Sequence, residues 1–474
     1  MSLRVLVMLA GGAGAVWAFR RWRTAIQYAL LLMIFEGAIR KWVFPSAQDL
    51  VYFAKDVLLL GAYLGFFRGP RLRLRLPALP ALYGALAAGA LVGLLQVFNP
   101  ALPNLLVGIF GFKAYFYYVP LLFVVPAAFS DDAELYRFLR RYTLIAIPVG
   151  LLAVAQFFSP ASSALNTYAR SNEDAYVATF GSSTYVRVTS TFSFITGFTT
   201  YLLATAILIL ALLAAGRWRF RGHLLMFGAL GITLLGMLMS GSRAPVAFLI
   251  VLFPLYWWLS VIRERGGGAA FGRLLIALSL VGLVLYSTAT GQKAIDAFLG
   301  RAAGGGDLPG RVASPLLSPY LLLSEVGLLG FGIGSTHQTA ATLAPNLVPY
   351  SWLHGLNVEV ESGRVMLELG PIGFILIYFV RVYLAVFAFR QIMVLRTRFH
   401  RTLATAAFLF FLTALPGGVV FDVTSDLYYW FFTGLLMLVI RLDRETARKA
   451  GRAAAPPRPA APRPLLEPAL PVVR

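Results

Sequence analysis

Apolar residues in this chain come in blocks long enough to cross a membrane. Thirteen can be marked: 3–19, 24–44, 49–67, 78–98, 107–129, 142–159, 192–215, 222–240, 244–261, 273–290, 365–389, 402–420 and 427–441. Most run about 17–24 residues, and a helix of that length spans a hydrocarbon core about 30 Å thick. Lipid offers no water to the backbone, so each crossing must satisfy its own N–H and C=O groups, as an α-helix does. A transmembrane barrel would show alternating stretches of about ten residues instead, and the sequence has none. The expected fold is all-α, a polytopic transmembrane helical bundle of about 12–13 helices. The fifth block carries Lys113 and Pro120 and is expected to be broken. The last is short.

Composition agrees. Only 13% of residues are charged and 59% are hydrophobic, whereas soluble domains carry about 25% charged residues. The stretch Val5 to Phe19 has signal-peptide length, but no small-x-small site followed by a soluble domain, and is read as a retained helix. The absence of cysteine excludes disulfides, thiol catalysis and cysteine-held metals. The four histidines, His223, His337, His354 and His400, show no metal-ligand spacing, and no Walker-type loop is present. No metal site and no cofactor are expected. A net charge of +21 would suggest nucleic acid in a soluble protein. Here the loops explain it. Residues 20–23, 67–77, 137–141, 216–222, 262–273, 390–401 and the tail from Arg441 hold 28 of the 41 Lys and Arg residues, and they alternate along the chain. The positive-inside rule assigns them to the cytoplasm. Membrane lipids are therefore expected partners and nucleic acid is not. Residues 1–452 form the expected transmembrane domain. The Pro/Ala-rich segment 453–474 has no helical period and reads as a disordered cytoplasmic tail. No repeat argues for an inverted-repeat transporter.

The opposite face carries two long connections, 160–191 and 291–364, the second a large extracytoplasmic loop in which short interfacial helices are expected. Long loops are often functional. The cations left unexplained by the loop rule gather on this face: Arg40 and Lys41, Lys113, Arg187, Arg243, Arg301, Arg311 and Arg364. Arg170 and Arg301 read as solvated loop residues. Arg243, in SGSRAP, is fixed at the boundary by a hairpin with almost no loop. Its partner is either a phospholipid phosphate or a bound substrate phosphate, which guanidinium grips bidentately. Glu359, Glu361 and Glu368 lie nearby in sequence. Glu361 and Arg364 are three apart on one helical face, either as an ion pair or as a base beside a phosphate ligand. Glu36, Lys55 and Asp56 fall inside spans, where ionisable groups are either functional or structurally paired.

Four stretches carry a resemblance: RVTSTFSFITGF (187–198), LMSGSRAP (238–245), GRVASPLLSPYLLLSEVGLLGFGIGSTH (310–337) and VEVESGRVMLELGPIGF (358–374). In kind and order they resemble the O-antigen ligase and Wzy-type polymerase superfamily. The resemblance implies a GT-C-like fold and metal-independent glycosyl transfer at the outer face of the cytoplasmic membrane. The donor is a polyprenyl-diphosphate-linked glycan and the acceptor a hydroxyl of another glycan, with a chain-length regulator protein as a further expected partner. Ligases of this family usually carry a histidine followed by asparagine near the end of the large loop. Here HGLN at 354–357 is shifted, which favours a polymerase over a ligase acting on a lipid acceptor. Arg187, Arg243 and Arg364, with Arg311 fourth, are the candidate stabilisers of the leaving diphosphate. Glu361, His354 and His337 are the candidate bases. Arg40, Lys41 and Lys113 are further candidate substrate-binding groups. A lipid-linked glycan flippase or other transporter is the main competing reading, followed by a non-catalytic assembly partner or a SEDS-type cell-wall synthase.

Overall fold

The computed structural model describes residues 3–69, 76–102, 104–169, 177–181, 183–216, 220–263, 267–304, 308–337, 340, 343 and 360–453. Among these residues are eighteen α-helices, in order: α1 (Leu3–Arg20), α2 (Trp22–Ala38), α3 (Gln48–Tyr52), α4 (Ala54–Arg68), α5 (Pro80–Val97), α6 (Leu105–Phe116), α7 (Leu121–Ala128), α8 (Asp132–Leu144), α9 (Ala146–Phe158), α10 (Ile195–Ala215), α11 (Phe220–Ser240), α12 (Arg243–Arg263), α13 (Gly267–Ser287), α14 (Ala289–Ala303), α15 (Leu308–Leu321), α16 (Glu361–Val394), α17 (Arg398–Ala414) and α18 (Val423–Ala453). A single π-helical turn, Ile39–Val43, extends α2. Among the described residues the only strand-like pairing is an isolated bridge between Thr179 and Val186.

The protein is an all-α, multi-pass helical membrane protein. Seven helical stretches among the described residues are long and apolar enough to cross a bilayer, or eight when α6 and α7, bent by 43°, count as one broken span. That break falls where expected, at Pro120, which has no N–H to continue the ladder. Each of the thirteen apolar blocks falls on helix. Beyond these stretches, α2 and α17 have 17 residues each, and α11, α12 and α13 have 21 each, with part of their side chains outside the description.

α10 and the first part of α18 form the centre, buried on nearly every side. α1 lies at the periphery with most of its side chains exposed. It is held by Gly61 and Gly65 of α4, where any side chain would strike the carbonyls of Ala15 and Phe19. Small residues four apart let two membrane helices approach closely.

α16 departs from expectation. The block 365–389 was expected as one helix, but at Gly370 the backbone takes φ 62° and ψ −175° and reverses. Arm 361–369 folds back along arm 371–394. In a straight helix Glu361 and Arg381 would stand about 30 Å apart; here they are ion-paired. The crossing is tight because glycine meets glycine: Gly330, at φ +70°, abuts Gly370. The stretch after Gly330 follows the short arm, with the amides of Phe331 and Gly332 donating to the carbonyls of Leu367 (2.8 Å) and Glu368 (3.0 Å).

The large connection contributes α14 and α15, consistent with short helices there. α18 continues well past the expected end at 441, to Ala453. The rest of the expected tail, 454–474, lies outside the described residues. Buried His400 bridges Asp132 (2.7 Å) and Asp443 (3.0 Å), tying α8, α17 and α18 together.

Candidate functional site

Three arginines from three separate elements converge on the turn between α11 and α12. Gly241, at φ +65°, closes that turn in a conformation suited to glycine. Arg187, in the segment leading to α10, donates from Nε to the Ser240 carbonyl (3.0 Å) and from Nη2 to the Ser242 hydroxyl (3.4 Å). Arg243 opens α12 and donates to the main-chain carbonyl of Arg301 (2.6 Å). Arg301, near the end of α14, returns a bond from Nε to the Gly241 carbonyl (3.0 Å). All three remain partly exposed. Burial, then the charges of Arg301 and Arg243, hold Arg187 below its ordinary value, against an opposing effect of Tyr168. The structure thus joins Arg187 to Arg243, and adds Arg301, which the sequence reading had left as a solvated loop residue.

The segment bearing Arg187 is fixed from beneath. The buried ammonium of Lys41 donates to Ser190 O (2.5 Å), Phe192 O (2.8 Å) and Thr189 Oγ1 (3.2 Å). Those three acceptors match its three N–H donors. Arg40 reaches Ser193 Oγ (2.9 Å) and Gln48 O (3.1 Å). Gln156 accepts from the amides of Ser190 (2.7 Å) and Thr189 (3.3 Å). Ser190 sits at φ 49°, a conformation that side-chain-bearing residues adopt only when the surroundings enforce it. Arg40 and Lys41, expected as substrate contacts, are placed as supports for this segment.

Arg364 belongs to a second group, built on other elements. Its Nη2 donates to Thr336 O (2.6 Å) and its Nε to Thr336 Oγ1 (3.2 Å), while the guanidinium lies 3.6 Å over the Phe421 ring. Glu368 accepts from Thr336 through both its amide (2.8 Å) and its hydroxyl (2.6 Å). His337 follows directly. Burial, with Arg364 and Lys113 nearby, pushes its ring down to about 4, so it is neutral near pH 7.

Lys113 pairs with Asp56 (2.6 Å), and Lys55 with Glu36 (2.7 Å). Arg40 stands 3.8 Å from Glu36 and Lys55 4.0 Å from Asp56. Five charges therefore alternate in sign from Arg40 to Lys113, with Tyr118 donating to Asp56 (2.6 Å). Of the two readings open for Glu36, Lys55 and Asp56, this favours structural pairing. It also gives Lys113 a protein partner.

The local pair that was one of the two readings for Glu361 and Arg364 is not formed. Fold-back at Gly370 delivers Glu361 to Arg381 instead, and its second oxygen accepts from the amides of Val419 (2.7 Å) and Phe421 (3.2 Å). A carboxylate held this way is poorly placed as a base. Arg381 was missed because its partner lies twenty residues away across a reversal. Beside Arg381, Asp426 helps line a mainly apolar cavity between α5, α6, α16 and α18, with Gly89, Phe116, Ile377 and Trp430 on its walls.

His354, Glu359 and Arg170 lie outside the described residues. Arg311 falls on α15, and its side chain is likewise outside the description. Among the described residues no cluster of three or more His, Asp or Glu side chains is arranged to hold a metal ion. Comparison of the chain with protein-family models and with curated proteins finds no match.

Proposed function

We propose that this protein is a polysaccharide repeat-unit polymerase: it transfers glycan from a polyprenyl-diphosphate carrier to a sugar hydroxyl of another glycan, at the outer face of the cytoplasmic membrane. The observation that carries the reading is the convergence of Arg187 and Arg243 on one glycine turn. The reaction breaks the bond between the sugar C1 and the diphosphate oxygen. The electron pair leaves on the diphosphate, and the acceptor hydroxyl forms the new bond from the opposite side, inverting the anomeric centre. Its proton passes to a base or to the departing diphosphate. Charge develops on the diphosphate, so guanidinium groups fixed before reaction are worth most there. The carrier is already activated, so no nucleotide is required. Arg364 and neutral His337 form a second polar group suited to holding the acceptor. The resemblance of segments 187–198 and 238–245 to the ligase and polymerase superfamily supports the same assignment, as does its implied GT-C-like fold. A chain-length regulator is a partner consistent with it.

A flippase for lipid-linked glycan is the second reading, and the alternating charges inside the bundle are the feature that favours it. Those charges are largely matched to one another, whereas a transport path needs polar groups free for the cargo. The test is direct. Purified protein is incubated with lipid-linked repeat units without nucleotide. Longer chains are expected; movement of carrier across vesicles with no chain growth would reverse the choice.

A further inference from the structure

The segment 313–329, the end of α15 and the turns after it, is apolar on two opposite sides. A helix lying on a water-facing surface keeps one side polar. On the inner side Leu322 and Val326 are buried and cluster with Met366 and Leu367 of α16. Leu316, Leu317, Tyr320 and Leu321, spaced to share one helical face, form the outer stripe, with Leu316 80% and Tyr320 74% exposed. Leu328 and Leu329, also exposed, extend it beyond the helix. No charged residue occurs from 312 to 324.

This stripe is continuous with a surface that faces lipid. The Leu328 carbonyl abuts Gly370, where the long arm of α16 begins. That arm is long enough to cross the hydrocarbon core, and it exposes Ile372, Ile375 and Phe379. α15 cannot cross. Its 14 residues reach about 21 Å, short of a core about 30 Å thick. Pro315 and Pro319 inside it also remove the N–H groups that the carbonyls of residues 311 and 315 would use in a regular helix. Water at headgroup depth can make good that loss and hydrocarbon cannot. Both observations suit the boundary, with apolar side chains in the acyl region and the backbone within reach of water. A second copy of the chain is a poorer match, because the stripe is leucine and one tyrosine, without the arginine, tryptophan and methionine that interface centres favour.

We infer that segment 313–329 is a monotopic membrane anchor, lying in the plane of the leaflet at the Gly370 end of the crossing, with Leu316, Leu317, Tyr320 and Leu321 among phospholipid acyl chains. By the alternation of basic loops that leaflet is the outer one. The anchor sits in the chain between Arg301 and the Gly332–Thr336 stretch, so the connection joining the two candidate groups is held to the membrane surface. Neither the anchor nor its test requires glycosyl transfer.

The experiment places a nitroxide on single cysteines in the full-length chain, which has no cysteine of its own. The probes are Leu316→Cys, Tyr320→Cys and Leu328→Cys, with Ile375→Cys as the lipid-facing reference and Arg448→Cys as the aqueous one. All five side chains are exposed, and Leu321→Cys replaces any probe that fails to fold. The protein is reconstituted in vesicles of phosphatidylethanolamine and phosphatidylglycerol. Collisions with oxygen, which concentrates in hydrocarbon, are compared with collisions with a soluble nickel chelate. The oxygen-to-nickel ratio at 316, 320 and 328 is expected to approach that at 375 and to stand well above that at 448. Ratios at 316 and 320 equal to that at 448 would put the stripe in water and overturn the inference. Labels closed to both reagents would mean that protein covers the stripe, and overturn it as well; spin–spin broadening would then identify the cover as a second copy.

Discussion

Arg243 was singled out from sequence because a hairpin with almost no loop leaves its head group no freedom to avoid the boundary. In the structure that head group donates to a backbone carbonyl supplied by another helix, so its direction is fixed before any ligand arrives. Arg243→Lys keeps the charge but not the planar fork. It is expected to insert normally and to lose on the order of 2–4 kcal/mol of transition-state stabilisation, or roughly 30- to 1000-fold in rate. Chain-length distribution in membranes with matched protein levels reads this, with Arg170→Lys as the quiet control. Wild-type polymer from the Arg243 variant would make the residue a lipid anchor. His337 gives a second prediction. Its folded value of about 4 lies below the ordinary 6.5. The unfolded chain therefore takes up the proton first as pH falls. Stability is expected to drop from about pH 6.5 down to about pH 4 and to level off below. The shift corresponds to at most about 3 kcal/mol, and less because the ring is partly solvated. His337→Gln should melt with a visibly flatter pH dependence over that window, whereas parallel profiles would show that another group is responsible. Side-chain destinations were the least legible level of the sequence. Lys41 looked like a ligand contact because two of its three acceptors are main-chain carbonyls, which no residue pattern announces. Arg301 looked solvated because its distance from the turn is set by how α14 docks.

At the level of elements, the apolar blocks and the break at Pro120 were readable, since both follow from local chemistry. The reversal in α16 was not. Hydropathy records that residues prefer lipid, but it is blind to the direction in which they run, and 365–389 reads as one apolar helix. Gly370 is the hinge, and two costs can be separated there. Gly370→Ala puts a side chain at positive φ and also drives a Cβ into the Leu328 carbonyl and the Gly330 amide. Gly181 has a similar φ of +60° with nothing among the described residues within 4 Å of an added Cβ, so Gly181→Ala reports the backbone cost, of order 1 kcal/mol. Gly370→Ala is expected to destabilise by clearly more, on the order of 3 kcal/mol or above, in denaturant melts of the detergent-solubilised protein. Equal effects at the two sites would mean that the crossing of Gly330 and Gly370 can relax. Glu361→Gln tests the pairing that the hinge creates. Removing one partner of a buried pair typically costs about 3–5 kcal/mol, so this variant should accumulate poorly, and Glu361→Gln combined with Arg381→Met should recover much of the loss.

For the whole molecule, the alternation of basic loops predicts orientation. Leu299 on α14 and Arg448 on α18 are both exposed. With no native cysteine in the chain, Leu299→Cys should react with a membrane-impermeant thiol reagent in intact cells, and Arg448→Cys only after permeabilisation. Reversed labelling would put the arginine turn on the cytoplasmic side, where the proposed donor is not presented. If a metal ion carried the diphosphate charge in place of the guanidinia, chelation would stop chain growth and Mg²⁺ would restore it; the expected outcome is unaltered growth in EDTA.

The α16 hairpin also bears on how the chain enters the bilayer. An arginine at mid-helix adds about 2.5–3.5 kcal/mol to the insertion of an isolated segment, and Arg381 sits ten residues beyond Pro371 in the long arm. Its carboxylate partner is synthesised first, twenty residues earlier. The two charges can leave the translocon together, already neutralised, only if the arms have closed at Gly370. For this stretch the unit of insertion is then the hairpin and not the helix. A ribosome stalled before Arg381 emerges would leave Glu361 without its partner, and the short arm would be expected to slip back towards water until translation resumes.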